Sequence, residues 1–253
     1  MSKIPVALQL YTVRDMTEKD FVGTGKQVAE MGYAGVEMAG NTGGMSPADL
    51  KVFLGDLGLA LAGSHVGIDQ LEDNLESVIE DNITLGNPWI VCPYMPDDRR
   101  ADADGWRKVA GALSEVGAKV KAAGLQLCYH NHSFEYEKFD GVSGFDIFYG
   151  AVDSDLVKAE LDCYWVQHGG EDPAATVTAF AGRVPLVHLK DMTADAEPTF
   201  TEVGNGILDF QAIFAASGDA GVEWYIVEQD TCAGPSLESA RTSIDNLRSW
   251  GIA

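Results

Sequence analysis

The sequence predicts an α/β fold, a single (β/α)8 barrel domain spanning residues 1–253. Three observations predict it. Short apolar runs alternate with longer amphipathic segments, the runs number eight, and the chain has 253 residues. A barrel of this kind takes about 250 residues as one domain. An open doubly wound sheet often carries a Gly-rich phosphate loop after its first strand; here "YTVRD" stands in that place. No linker, charge block or low-complexity tract marks a second domain.

The first run, "IPVALQL" (4–10), leads to a helix candidate at 19–31, which Gly32 closes. "AGVEM" (34–38) follows, then a helix at 46–57 with Ser46 as N-cap, Pro47 at the first helical position and Gly58 beyond the end. "LALAGSH" (59–65) precedes a helix at 69–85, and "WIVCPY" (89–94) one at 103–123, with Gly124 as its stop. "LQLCYHN" (125–131) leads to 142–151, and "LVKAELD" (156–162) to 172–181, where Asp172 and Pro173 repeat the start signal. "VPLVHLKD" (184–191) leads to 208–217, and "EWYIVEQD" (223–230) to 235–250. Near-continuous apolar runs suit parallel strands covered on both faces.

Acidic residues outnumber basic ones, 39 to 17, for a formal charge of −22. That argues against nucleic acid and against anionic membrane surfaces, since phosphate neutralisation needs a basic footprint. A high-salt cytoplasm would screen the self-repulsion. No run approaches the roughly 20 apolar residues of a membrane span, and the N-terminus has neither the apolar core nor the cleavage site of a signal peptide. A cytoplasmic location is the expectation. Cys92, Cys128, Cys163 and Cys232 form no C-x-x-C pair, so they read as buried small hydrophobes.

In a barrel the site forms where the strands end, and the strand ends here are unusually polar. The first offers Gln9 and Tyr11, the second Glu37 and the third His65. The fifth runs into "YHNHSFEYE", with His130, Asn131, His132 and Glu135. The sixth ends in Asp162, the seventh in His188 and Lys190, the eighth in Glu228. Charges ending apolar strands are costly unless paired or metal-bound. Singly, each has a plain alternative: Asp162 as a helix N-cap, a histidine as a hydrogen-bonded core residue, Glu228 as an ion-pair partner of Lys190. Jointly, Asp162, His188, Glu228 and one ligand from the fifth strand suit Mn²⁺, Fe²⁺, Co²⁺ or Zn²⁺, and Mg²⁺ less well because of the imidazole. Such a cation would take two oxygens of a polyol or keto sugar, polarise a carbonyl and stabilise an enediolate. Tyr11, Tyr94, Phe134, Tyr164 and Trp165 suit stacking on a sugar or ordinary packing.

"ELDCYWV", "GRVPLVHLKDM", "EVGNGILDFQAIF" and "GVEWYIVEQD", with "GYAGVEM" and "YHNHSFEYE", resemble the sugar phosphate isomerase/epimerase superfamily of xylose-isomerase-like barrels, over about residues 4–249. The version "YHNH" with "HLKD" is most similar to its inosose-dehydratase-like and keto-glycoside-processing branch. The resemblance implies one divalent metal, most often manganese, held by a Glu, Asp, His, Glu set. Asp162, His188 and Glu228 match three of these. Many members read E-x-H on the fifth strand, where this chain has His130; the resemblance favours Glu135 as the remaining ligand, with His130 and His132 as alternatives. It also implies that His130, His132 and Lys190 line the sugar, while His65 and Glu37 hold hydroxyls or shuttle protons. The expected activity is that of a metal-dependent isomerase or epimerase acting on a sugar, keto-sugar or cyclitol. A lyase on the same site is the close alternative, ahead of a non-catalytic sugar-binding barrel and an endonuclease IV-like nuclease. Many barrels of this kind dimerise or tetramerise, which leaves a homo-oligomer open.

Overall fold

A computed structural model describes residues 3–253. Eight strands form a closed barrel: β1 (Val6–Gln9), β2 (Gly35–Met38), β3 (Ala60–His65), β4 (Trp89–Cys92), β5 (Gln126–His130), β6 (Val157–Asp162), β7 (Leu186–Leu189) and β8 (Trp224–Val227). Each pairs in parallel with its neighbours in chain order, and β1 pairs with β8 to close the ring. Parallel neighbours need a crossover, and helices supply it, among them Phe21–Met31, Pro47–Asp56, Ala103–Ala122, Pro173–Ala179 and Ser236–Ser249.

Helix starts follow local chemistry. Asp20, Ser46, Asp102 and Asp172 each accept a backbone N–H of the first turn through the side chain, satisfying donors the helix cannot. Two details depart from the sequence reading. The segment expected as one helix at 69–85 is two, Ile68–Asp73 and Leu75–Leu85, broken at Asn74. A short helix, Cys163–His168, stands between the run at 156–162 and the helix expected at 172–181, and Asp191–Met192, at the end of the run 184–191, forms a hairpin with Phe200–Thr201.

The barrel is sealed low down by a ring of side chains from six strands: Ala7, Ala62, Val91, Cys128, Leu186 and Ile226, all wholly buried. The larger apolar layer lies between the strands and the helices and includes Trp106, Leu113, Tyr129 and Phe148. Cys92, Cys128 and Cys163 are buried free thiols and Cys232 is partly covered, as expected of small hydrophobes. No helix among the described residues is long and apolar enough to cross a membrane.

Candidate active site

Side chains alternate faces along a strand, so residues two beyond the apolar ring also point inward. Gln9 lies two beyond Ala7, His130 two beyond Cys128, His188 two beyond Leu186 and Glu228 two beyond Ile226. These residues, with Glu37, His65, Glu160, Asp162 and Lys190, make a polar layer above the apolar one. Gln9, Glu37, His130, Glu160, Asp162, His188, Lys190 and Glu228 are all buried. Four of the chain's five histidines stand here or at its edge: His65, His130, His132 and His188.

Two groups of ligand-type atoms, each within 4.8 Å of one another, fall in this layer. One is His130, Asp162, His188 and Glu228; the other is His65, His130, Glu160 and His188. They share the two imidazoles. His188 reaches Glu228 Oε2 with Nδ1 at 3.0 Å and Glu37 Oε2 with Nε2 at 2.8 Å. His130 reaches Glu160 Oε2 with Nδ1 at 2.9 Å and has Nε2 3.8 Å from Asp162 Oδ2. His65 Nε2 lies 2.8 Å from Glu160 Oε2 and 3.2 Å from Glu37 Oε2.

Lys190 is saturated by carboxylates. Its Nζ stands 3.0 Å from Asp162 Oδ2, 2.8 Å from Glu228 Oε2 and 2.8 Å from Asp230 Oδ1. The ammonium is therefore bound to the acidic side chains of the site, where the resemblance implied it would line the sugar. Both plain alternatives for the acids hold at once. Asp162 caps the helix Cys163–His168 by accepting Trp165 N at Oδ1, 3.0 Å away, and Glu228 pairs with Lys190. Asn131 accepts Asp162 N at 3.0 Å and so ties the end of β5 to the end of β6.

The structure does not bring Glu135, the favoured fifth-strand ligand, to Asp162, His188 and Glu228. It brings His130 instead. Glu135 Oε1 accepts Tyr129 OH at 2.7 Å and its Oε2 accepts His132 N at 2.8 Å. Tyr129 neighbours His130 on β5 and faces the opposite way, against Phe148. Glu135 thus sits behind the strand and braces the turn that carries His132. Burial pushes its carboxyl up to about 7, against the pull of the Tyr129 hydrogen bond.

Glu160 was not singled out in the sequence, although its signal is present. In "KAELD" it lies two residues before Asp162, so both acids face the interior, one rung apart. Register places Glu160 beside His130 and Asp162 beside His188.

The charges sort themselves against burial. Burial alone would lower His65, but Glu37 and Glu160 reverse this and hold it up at about 10. Burial likewise opposes His188, and Glu160 and Glu37 drive it well above the usual range. His130 is pushed well below by burial and by the neighbouring His188 and His65. Burial raises Asp162 to about 6 against the pull of Lys190.

The donor set fits a divalent cation. Glu37 Oε1 and Glu160 Oε1 are buried and receive no hydrogen bond, an arrangement that otherwise costs free energy. Asp162 belongs to a group of two imidazoles and two carboxylates, a ligand mixture suited to Mn²⁺, Fe²⁺, Co²⁺ or Zn²⁺.

Above the polar layer lies a cavity of about 430 Å³, lined by Tyr11, Pro93, Tyr94, His65, His130, His132, Glu228 and Asp230, among others. Tyr11 and Tyr94 are exposed on its rim. His132 stacks on Phe134 with ring centres 5.2 Å apart, and its Nδ1 is buried without a partner. Burial, then His130 and Lys190, push His132 well below the usual imidazole range. Asp191 fixes the segment after β7 by accepting the N–H groups of Met192, Gly204, Gly206 and Leu208. Gly63 leaves the space that Glu37 occupies: a Cβ there would stand 2.4 Å from Glu37 Oε1.

A model of the xylose isomerase-like TIM barrel family matches residues 26–250. The chain belongs to this family. Among curated relatives, inosose dehydratase of Clostridium beijerinckii is 28% identical over 143 residues, 49% of this chain and 47% of its own length. Inosose dehydratase of Geobacillus kaustophilus is 27% identical over 243 residues, 81% of this chain and 78% of its own. The chain thus spans about half the length of the first relative and over three quarters of the second. A sugar phosphate isomerase/epimerase structure from Parabacteroides distasonis superposes with a TM-score of 0.86 at 22% identity, over 98% of this chain and 95% of that one. At that identity the likeness is one of fold.

Proposed function

We propose that the protein is a sugar- or cyclitol-processing enzyme that removes a proton beside a substrate carbonyl and expels a hydroxyl as water. The observation that carries this reading is the group of His130, Asp162, His188 and Glu228, supplied by four strands and packed within 4.8 Å beneath the cavity. The inosose dehydratase relatives favour water loss over the isomerase or epimerase outcome expected from the sequence, which shares the proton-abstraction half of the reaction.

His130, Asp162, His188 and Glu228 would hold one divalent cation. Such an ion supplies Lewis-acid pull on a carbonyl oxygen and so acidifies the adjacent C–H. Lys190 keeps Asp162 and Glu228 in place by gripping one oxygen of each. His132 lines the cavity as a neutral imidazole and can take a proton there. Asp230 also faces the cavity; burial raises its carboxyl against the pull of Lys190, and in its protonated form it can pass that proton to a departing hydroxyl. Tyr11 and Tyr94 offer ring faces to the substrate's C–H surface and cover it from water. A cavity of this size suits a small organic ligand.

The test is a metal assay followed by incubation of the manganese-loaded protein with keto-inositols and keto-sugars in D₂O. Water loss with an unsaturated product is expected. Deuterium at the α-carbon with no loss of mass from dehydration would make the enzyme an isomerase or epimerase. Absence of bound metal, of exchange and of product with every substrate would end the catalytic reading.

A further inference from the structure

We infer that Glu37 and Glu160 are positioning residues: they hold the N–H of His188 and of His130 so that the opposite ring nitrogens face Asp162 and Glu228 as ligands. This deepens the metal-centred reading above and rests on it.

An imidazole between two acceptors must be read nitrogen by nitrogen, because only a nitrogen without a proton can bind a metal. His188 has Nε2 2.8 Å from Glu37 Oε2 and Nδ1 3.0 Å from Glu228 Oε2. His130 has Nδ1 2.9 Å from Glu160 Oε2 and Nε2 turned to Asp162 Oδ2. Each ring thus spans the two groups of acids, and one side of each must carry the proton.

The surroundings break the tie. Gln9 Oε1 accepts the backbone N–H of Tyr11 at 3.1 Å, which turns the Gln9 amide nitrogen toward Glu37 Oε2 at 2.7 Å. The same oxygen faces His65 Nε2 at 3.2 Å and His188 Nε2 at 2.8 Å. It is therefore an oxygen already surrounded by donors. Glu160 Oε2 is likewise met by His65 Nε2 at 2.8 Å and His130 Nδ1 at 2.9 Å, with His188 Nε2 at 3.2 Å. Two carboxylate oxygens so encircled by nitrogen serve as acceptors of protons on those nitrogens. On the other side Asp162 Oδ2 and Glu228 Oε2 already have the Lys190 ammonium, at 3.0 and 2.8 Å, as their cation. His130 Nε2 stands off Asp162 at 3.8 Å, and His188 Nδ1 faces the one Glu228 oxygen while its Nε2 faces two acids, Glu37 and Glu160. The protons belong on the Glu37 and Glu160 side, and the lone pairs of His188 Nδ1 and His130 Nε2 on the Asp162 and Glu228 side. A carboxylate behind a ligating histidine fixes its tautomer and orientation, and its loss typically weakens metal affinity by about 10–100-fold.

This assigns the two overlapping groups different tasks. His130, Asp162, His188 and Glu228 take the cation, while Glu37 and Glu160 accept the N–H groups of the rings. The metal count is one per chain, and Glu160 acts on the chemistry only through the rings it steers.

The test uses protein with ¹⁵N-labelled histidine loaded with Zn²⁺, which is diamagnetic. Two-bond proton–nitrogen spectra of the wild type are expected to show His188 ligated through Nδ1 with Nε2–H retained. They should show His130 ligated through Nε2 with Nδ1–H retained, at one zinc per chain. Glu160→Gln should release the Nδ1–H of His130 and weaken zinc binding about 10–100-fold in calorimetry, with His188 unaltered; Glu37→Gln should do the reverse. Zinc on His188 Nε2 or on His130 Nδ1, or two zincs per chain, overturns the assignment whether or not the variants fold. So do variants whose spectra and affinities match the wild type. If no zinc binds but the two N–H signals appear in the wild type and vanish in the matching variants, the metal reading falls and the orienting role stands.

Discussion

Two rings of inward-facing side chains lie one above the other on the same strands and do opposite work. Ala7, Cys128, Leu186 and Ile226 belong to the lower ring, and two residues on stand Gln9, His130, His188 and Glu228 of the upper. Backbone geometry is the same in both, since the strands continue from one to the other. The difference is in what each ring must satisfy. The lower ring excludes water with small and branched apolar groups. The upper ring keeps ionisable groups where water cannot reach, so each needs a partner of opposite character. A single two-residue step separates a plug that stabilises the barrel from a layer that costs stability and, in the proposed function, carries the chemistry.

That contrast can be broken most sharply at β7. His188→Ala strips the imidazole from Glu37, Glu160 and Glu228; several kcal/mol of Lewis-acid stabilisation depends on such a centre, so turnover should fall about a thousandfold. Leu186→Ala, two residues earlier, should cost about 2–5 kcal/mol in denaturant unfolding and leave turnover per folded molecule unchanged. If Leu186→Ala impairs turnover as severely as His188→Ala, the rings are not separate in function.

Glu135 sharpens the comparison from outside the barrel. Its carboxyl is raised from 4.5 to about 7 by burial. A raised folded-state value favours the protonated form, so its contribution to stability is complete below about pH 4.5 and is lost as pH rises through about 7. Glu135→Gln should remove about 3 kcal/mol of pH dependence from that window, measured as the difference between the two proteins' unfolding free energies. The zinc stoichiometry of the variant should match the wild type, because Glu135 stands behind β5. The smallest effect concerns the exterior. With a formal charge of −22, self-repulsion should ease with added KCl. A rise of about 2–4 °C in unfolding midpoint, the shift about 1 kcal/mol gives at this chain size, is expected; no rise with salt would count against a salt-screened habitat.

Most of the fold was legible because short apolar runs and capped helices are local properties. Pro47 after Ser46 and Pro173 after Asp172 mark helix starts without reference to anything distant. The seal of the barrel was not, since nothing local says that Ala7 and Ile226 meet. The candidate site was legible where an acid or imidazole ends a strand, as at Asp162, His188 and Glu228. Glu160 escaped notice because it lies inside its strand, where only the alternation with Asp162 reveals its direction. Glu135 misled because it follows the "HNH" run closely. Closeness along the chain says nothing of side, and the short turn Phe134–Tyr136 carries it round to Tyr129.

Position 63 holds a constraint of another kind. The hydrogen that glycine offers there, in place of any larger substituent, is the mould into which the Glu37 carboxylate is cast. An alanine at 63 would act at a distance, shoving an acid on the next strand and, through it, tilting the ring of His188. A residue with no functional group of its own thereby sets the aim of the site's most heavily shared imidazole.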